Sequence, residues 1–265
     1  MKRALLITLF CVAALSCLGQ TRAEILRAKL LDPSDKTVFV AAHRGAWRVA
    51  PENSIESIEK AIEMGVDIVE IDVQRTIGGQ LILNHNPVIF RPKGAPTLED
   101  ALLAAKGRVL LNLDKAFRYF DQVMEVAERT GTVEQIIIKN SRNAHKVIPI
   151  LGSYRERVIF MPIINLNQSG AAAKIEGYFQ SLDPPVFELT FSSDTNPVLQ
   201  IALARLKGSK RLWYNTLWPS LCGGHDDALS EKDPAGGFGW LIDNAGAGAF
   251  QTDDPELLMD YLKTR

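Results

Sequence analysis

Cysteine is scarce in this chain: three in 265 residues, two of them, Cys11 and Cys17, in an apolar N-terminal stretch. Beyond that stretch only Cys222 remains, after Trp218-Pro219-Ser220-Leu221 and without any partner motif. This excludes an internal disulfide in the remainder of the chain, and Cys222 reads as a structural residue. An excess of one charge is also lacking. Thirty Lys and Arg face 31 Asp and Glu, a formal net charge of −1, which argues against nucleic acid as a partner and against a broad basic membrane-binding face. The one long hydrophobic run, Ala4 to Leu18, falls short of the roughly 20 apolar residues that a membrane-spanning helix needs. The chain has no internal repeat and no low-complexity segment. Nor does a Gly-rich phosphate turn follow the first apolar strand pattern, where His43-Arg44-Gly45-Ala46-Trp47 stands instead. At 46% hydrophobic and 23% charged residues the composition is that of an ordinary globular protein, with enough length to bury a core without cross-links.

The N-terminus has its own pattern. Lys2 and Arg3 precede the apolar run, and Thr21-Arg22-Ala23 offers small residues of the kind a signal peptidase reads. Residues 1–23 are therefore expected to be a secretory signal cleaved near Ala23, with 24–265 forming one exported domain, periplasmic or secreted. A lipoprotein anchored at Cys17 is the weaker reading, because Ala14-Leu15-Ser16 is a poor lead-in. Cleavage would remove Lys2, Arg3 and Arg22 and no acid, taking the net charge from −1 to −4.

Downstream, apolar runs alternate with amphipathic stretches. TVFVAA (37–42), VDIVEIDVQ (66–74), RVLLNLD (108–114), EQIIIKN (134–140), RVIFMPIIN (157–165), VFELTF (186–191), RLWYNTL (211–217) and GAFQT (248–252) read as strands, and QLILN (80–84) as a short extra ladder. Runs this continuously apolar are expected of strands buried on both faces. Helical patterns stand between them, several opening on Ser, Thr or Asn caps and ending at Gly65, Gly107 or Gly131. Residues 219–239 read as a long connection. Eight strand–helix units in this length predict an α/β fold, a (β/α)8 TIM barrel, with an open doubly wound sheet as the competitor.

In such a barrel chemistry sits where strands end and loops begin. His43 and Arg44 follow the first strand directly. Glu70 and Asp72 are two apart on one strand and share a face. Carboxylates packed this closely repel unless a cation lies between them, and a hard divalent ion such as Mg²⁺ or Ca²⁺ suits oxygen ligands. Asp114, at the end of LLNLD, supplies a third carboxylate, and His85 ends the short ladder. Two histidines can take a proton from a nucleophile and give one to a leaving group. Beside a cation and Arg44 this pattern fits phosphodiester cleavage. Lys115 and Lys139 stand at further strand ends, and Lys139 is the better placed to add charge at a phosphate. His145 and His225 read as structural or exposed.

These residues carry a resemblance. His43-Arg44-Gly45, Pro51-Glu52-Asn53-Ser54, VDIVEIDVQRT (66–76), His85 and the ending GAFQTDDPELLMDYL (248–262) are similar to the glycerophosphodiester phosphodiesterase family. The resemblance implies a (β/α)8 barrel and a divalent cation, Ca²⁺ or Mg²⁺, on Glu70 and Asp72. It also implies catalytic histidines at His43 and His85 and Arg44 on the phosphate. A neighbouring substrate hydroxyl would attack phosphorus to give a cyclic phosphate that water opens, His43 acting first as base and His85 as acid. Four departures stand out. The family's His-Asp pair reads His85-Asn86. Its Thr-x-Asp-Gly turn reads Thr76-Ile77-Gly78-Gly79. The third ligand position reads Asn112-Leu113-Asp114-Lys115, so Asp114 would fill it with a shorter reach. Only residues 86–96 separate His85 from Thr97, where the family carries a longer insertion. The expected partner is a small phosphodiester, with transient lipid contact through Trp47 or Trp218 and no protein partner evident. Phospholipase-like headgroup cleavage and an inactive barrel that binds phosphorylated ligands are the alternatives.

Overall fold

The computed structural model describes residues 19–265, so the leader expected over 1–23 lies outside the described residues apart from 19–23. The strands are β1 (Phe39–Ala42), β2 (Ile68–Arg75), β3 (Leu81–Leu83), β4 (Leu110–Asp114), β5 (Ile136–Asn140), β6 (Ile159–Asn165), β7 (Val186–Thr190), β8 (Arg211–Asn215) and β9 (Ala247–Thr252). The helices are α1 (Arg22–Leu31), α2 (Ile55–Met64), α3 (Leu98–Ala105), α4 (Phe120–Thr130), α5 (Ala144–Leu151), α6 (Ala171–Phe179), α7 (Pro197–Leu206), α8 (Asp227–Ser230), α9 (Trp240–Asp243) and α10 (Pro255–Lys263). Neighbouring strands run β1-β2-β4-β5-β6-β7-β8-β9 and back to β1, all parallel. This is the closed eight-stranded (β/α)8 barrel that the alternation predicts. β3 lies outside it, antiparallel to the upper part of β2, with Val73 opposite Leu83 and Arg75 opposite Leu81. The stretch 219–239 is more structured than a plain connection, since it carries α8 and a π-helical turn at Ala235–Gly239.

Side-chain alternation explains how the barrel is filled. Phe39 and Ala41, Ile68, Leu110, Ile137, Val186, Trp213 and Ala249 pack together, while their sequence neighbours Val40, Val69, Leu111, Ile138, Phe187, Tyr214 and Phe250 pack in a second core with the helices. Successive side chains on a strand point to opposite faces, so residues two positions further on return to the same side. Following the first set toward the C-terminal strand ends gives His43, Glu70 and Asp72, Asn112 and Asp114, Lys139, Glu188, Asn215 and Gln251. The filling therefore changes from apolar at one end to polar and charged at the other. Cys222 is buried in the outer core, as its structural reading expects.

At the opposite end α1 packs Leu26 and Leu30 against Phe39 and Trp213. Each buried side chain of this kind contributes about 1.5–3 kcal/mol. The helix starts inside the expected leader. Thr21 and Glu24 form a reciprocal capping box, and the Arg22 guanidinium donates to the carbonyls of Gly65, Val66 and Arg108 at 2.8–2.9 Å.

Candidate active site

The C-terminal mouth is built first by a tight turn. Arg44 and Gly45 have φ of 54° and 76°, and Asn53 has φ of 55°. A Cβ on Gly45 would lie 2.4 Å from Ser57 Oγ and 2.7 Å from the Ser57 carbonyl carbon, so glycine is required for β1 to turn away beneath α2. The turn aims two backbone donors at β2: Arg44 N–H donates to Glu70 Oε2 at 2.9 Å and Gly45 N–H to the Glu70 carbonyl at 3.2 Å. Asn53 clamps the other acid twice, its Nδ2 donating to Asp72 Oδ2 at 2.9 Å and its Oδ1 accepting from Asp72 N–H at 2.8 Å.

Glu70, Asp72 and Asp114 converge, offering one carboxylate oxygen each within 4.8 Å of one another. The register accounts for this, since Asp72 lies opposite Asp114 and Glu70 opposite Asn112. Burial pushes the Glu70 carboxyl up to about 7; His43 opposes the shift, while Asp72 and Asp114 add to it. Asp72 is also buried, but hydrogen bonds from Lys115, Asn53 and His85 outweigh that and hold it below the ordinary aspartate range. All donors are oxygens and the cluster is rich in negative charge, so the residues fit a hard divalent cation.

Two lysines stand beside the acids. Lys115, in a left-handed conformation at φ 62°, places Nζ 2.7 Å from Asp72 Oδ1. Lys139 is the larger surprise. It is buried with Nζ 3.5 Å from Asp114 and 3.4 Å from Glu188. Burial alone would lower its pKa, but Glu188, Asp114 and Glu70 raise it. The structure thus engages Lys139 with carboxylates inside the barrel.

His43 is buried and held by Asp253, its Nδ1 2.7 Å from Asp253 Oδ1. With Nδ1 as donor, Nε2 is left as the acceptor on the acid side, 3.9 Å from Glu70 Oε2. Burial disfavours its charge, yet the Asp253 hydrogen bond and Glu70 together raise its pKa. The same Asp253 oxygen accepts from Trp47 Nε1 at 2.6 Å. His85 sits across the cluster at the rim. Its Nδ1 lies 3.1 Å from Asp72 Oδ2 and its Nε2 lies 3.3 Å from Arg44 Nη2. Lys115 Nζ lies 3.0 Å from the same Nδ1, so a group that can only donate faces each ring nitrogen while Asp72 offers Nδ1 an acceptor. Lys115 and Gln74 fix the backbone by donating to the His85 carbonyl at 2.6 and 3.2 Å. Arg44 itself is tied to Glu52, Nη1 to Oε2 at 2.6 Å.

All seven site residues of the sequence reading lie at this mouth, although Lys139 faces inward. Asp253, Asn53 and Glu188 are the additions. Asp253 could have been suspected from Thr252-Asp253-Asp254-Pro255, an acidic turn at a strand end. The remaining histidines stand apart from the acids: His225 stacks on Trp240 and bonds Asp194, and His145 lies on α5.

Asp253 is positioned in turn by Asp227 from the 219–239 stretch. Asp227 accepts from Asp253 N–H at 2.8 Å and from Thr252 Oγ1 at 2.7 Å. Burial pushes its carboxyl up to about 6, against the pull of these hydrogen bonds. A raised folded pKa stabilises the protein fully below the unfolded value near 4, and that stability is lost as pH rises through about 6. The contribution lost is up to about 3 kcal/mol. Glu70 acts in an overlapping window, so the difference between wild type and Asp227→Asn isolates this group. In urea unfolding between pH 4 and 7, wild-type stability should fall relative to Asp227→Asn. Parallel curves would remove Asp227 from the account.

Fold and site together define a (β/α)8 barrel with an acidic, histidine-flanked centre at its C-terminal mouth. Residues 43–143 match the glycerophosphoryl diester phosphodiesterase family, a stretch holding His43, Arg44, Glu70, Asp72, His85, Asp114 and Lys139, while residues 160–262 match a domain of unknown function. The chain is similar to the glycerophosphodiester phosphodiesterase of Caldanaerobacter subterraneus (42% identity over 53 residues, 20% of this chain and 22% of the relative). It is similar also to that of Bacillus subtilis (37% over 79 residues, 29% and 26%). The matched stretches thus span under half the length of these curated relatives. Among solved structures, a glycerophosphoryl diester phosphodiesterase of Parabacteroides distasonis shares the fold at TM-score 0.70 and 16% identity, covering 91% of this chain and 92% of that one. An Oleispira antarctica phosphodiesterase, solved in complex with the product sn-glycerol-3-phosphate, does so at TM-score 0.60 and 17% identity, covering 85% and 96%. The part of the barrel that carries the acidic centre is thus similar to the glycerophosphoryl diester phosphodiesterase family, and the fold of the whole barrel is shared with solved members.

Proposed function

We propose that the protein is a metal-dependent phosphodiester hydrolase that cleaves glycerophosphodiesters to glycerol 3-phosphate and an alcohol. The observation that carries this reading is the convergence of Glu70, Asp72 and Asp114 between two histidines. Glu70, Asp72 and Asp114 would hold Ca²⁺ or Mg²⁺, which when bound supplies charge neutralisation at the phosphoryl oxygens. Arg44, at the rim between His85 and Glu52, adds a guanidinium on the same side. His43 takes the proton of the substrate hydroxyl at Nε2 while Asp253 steadies the imidazolium that forms. That hydroxyl oxygen bonds to phosphorus as the bond to the leaving alcohol breaks, and His85 protonates the alcohol. Water then opens the cyclic phosphate, giving its proton to His85 as His43 returns one to the sugar-alcohol oxygen. The product complex of the Oleispira antarctica relative supports a small glycerol-phosphate ligand.

One observation favours the second reading, a barrel that binds phosphorylated ligands without turnover: Lys115 already bonds Asp72. A substrate panel separates the two. The purified protein should release glycerol 3-phosphate from glycerophosphocholine, glycerophosphoethanolamine or glycerophosphoinositol when Ca²⁺ or Mg²⁺ is added. No turnover of these, of lysophospholipids or of sphingomyelin with Ca²⁺, Mg²⁺, Mn²⁺ or Zn²⁺ would leave the binder. We further propose export, supported by the N-terminal pattern of Lys2, Arg3 and the apolar run. The roles of Thr21 and Arg22 in capping and anchoring α1 favour cleavage ahead of Thr21 over cleavage at Ala23.

A further inference from the structure

We propose that the β2–β3 hairpin and the loop that follows it form a docking knob for the surface of an anionic phospholipid bilayer. Ile77 at the hairpin turn is 79% exposed, Ile89 65% and Phe90 75%. Side chains this apolar and this exposed, close together, mark an interaction surface. Ile77 and Ile89 are neighbours in space, because Ile77 N–H donates to the Ile89 carbonyl at 2.9 Å.

Charge specifies the partner. From Val73 to Leu98 the chain carries Arg75, Arg91 and Lys93 and no acidic residue, within a protein whose net charge is −1. The acid that acts on Arg91, Asp100, is committed to capping α3 through Thr97. Cations beside apolar tips suit an anionic lipid surface, where the tips enter the acyl boundary and the cations meet headgroup phosphates. Loop residues 89–94 are exposed without interruption, as a segment that dips into a bilayer surface must be.

The knob is held in shape before it meets a surface. Arg91 Nε donates to the Ala95 carbonyl at 2.7 Å, Ala95 N–H to Pro92 at 3.1 Å and Leu83 N–H to Pro96 at 2.9 Å. Pro87, Pro92 and Pro96 restrict the backbone further. The position is apt as well, since His85 lies four residues before Ile89 and at the barrel mouth. Trp47, Val49 and Trp218, on the loops that leave β1 and β8 at that same end, are also exposed.

Sedimentation of the full chain with vesicles tests the proposal without any turnover. Vesicles of equal parts phosphatidylglycerol and phosphatidylcholine should bind the protein roughly tenfold better than phosphatidylcholine alone. Phe90→Ser with Ile89→Ser, and separately Arg91→Gln with Lys93→Gln, should each lower binding to the anionic vesicles roughly tenfold. Both double variants should keep the wild-type melting temperature and the wild-type rate on glycerophosphocholine. Equal binding to both vesicle types, or binding unchanged in both variants, would overturn the proposal. So would absence of binding accompanied by self-association that the variants abolish, which would assign the knob to a contact between copies of the chain. Loss of turnover with vesicle binding intact would strike the hydrolase reading alone.

Discussion

His43→Ala is expected to lower kcat by about three orders of magnitude, within the range that general acid–base groups contribute. Asp253 holds Nδ1 of this imidazole, and Nε2 looks onto the acidic cluster from 3.9 Å off Glu70. Asp253 is engaged with both His43 and Trp47, so it steadies the imidazole and does not itself face the cluster as a free base. His85→Ala should cost a similar factor, because only this imidazole reaches the rim between Asp72 and Arg44. Asp253→Asn should cost less than either and should lower the His43 pKa, as a negative partner is lost. Steady-state kinetics on glycerophosphocholine, with circular dichroism to confirm folding, decides the matter. Unchanged turnover in either alanine variant removes that histidine from the mechanism.

The second large effect concerns the divalent ion. Chelation should abolish turnover, and at a free ion concentration near 100 Kd the fold should gain about 2.7 kcal/mol against unfolding. Asp72→Asn should weaken binding most, because Asp72 lies centrally and contacts Asn53, His85 and Lys115. Asn53→Ala, which removes the orienting bonds without touching a ligand oxygen, should cost roughly 10–100-fold in affinity. Lys115→Met should act in the opposite direction and tighten binding, because its ammonium competes for Asp72 Oδ1 at 2.7 Å. Calorimetric titration with Ca²⁺ and Mg²⁺ reads all of these. Equal affinity in wild type and Asp72→Asn would exclude Asp72 as a ligand, and an unchanged Lys115→Met would show that the lysine yields without cost.

Much of this site was legible because strand alternation is local. Glu70 and Asp72 must share a face once VDIVEIDVQ is a strand, and His43 must follow the end of TVFVAA. The fold was legible for the same reason, from apolar runs and caps at regular intervals. What escaped the sequence depends on which strands become neighbours. Asp253 meets His43 across 210 positions only because β9 closes against β1 with Ala42 opposite Thr252. Lys139 looked free at a strand end, but its partner Glu188 lies on β7, with β6 between them in the sheet, and is reached only through the barrel interior. The role of α1 was hidden too, since Leu26 and Leu30 find their partners only once the barrel has an end to cover. Trp47 and Trp218 were suspected at the mouth, yet the most exposed apolar cluster, Ile77 with Ile89 and Phe90, forms where two turns meet.

The short pairing between β1 and β2 gives the acidic centre a second job. Only Ala41 with Ile68 and Ala42 with Val69 are in register there, against four residue pairs between β1 and β9. The junction is extended by Arg44 and Gly45 reaching Glu70 and by Asn53 gripping Asp72. The centre is therefore the barrel's clasp. A cation seated on Glu70 and Asp72 would fasten the turn after β1 to β2, and a substitution at Glu70, Asp72 or Asn53 would loosen the cylinder.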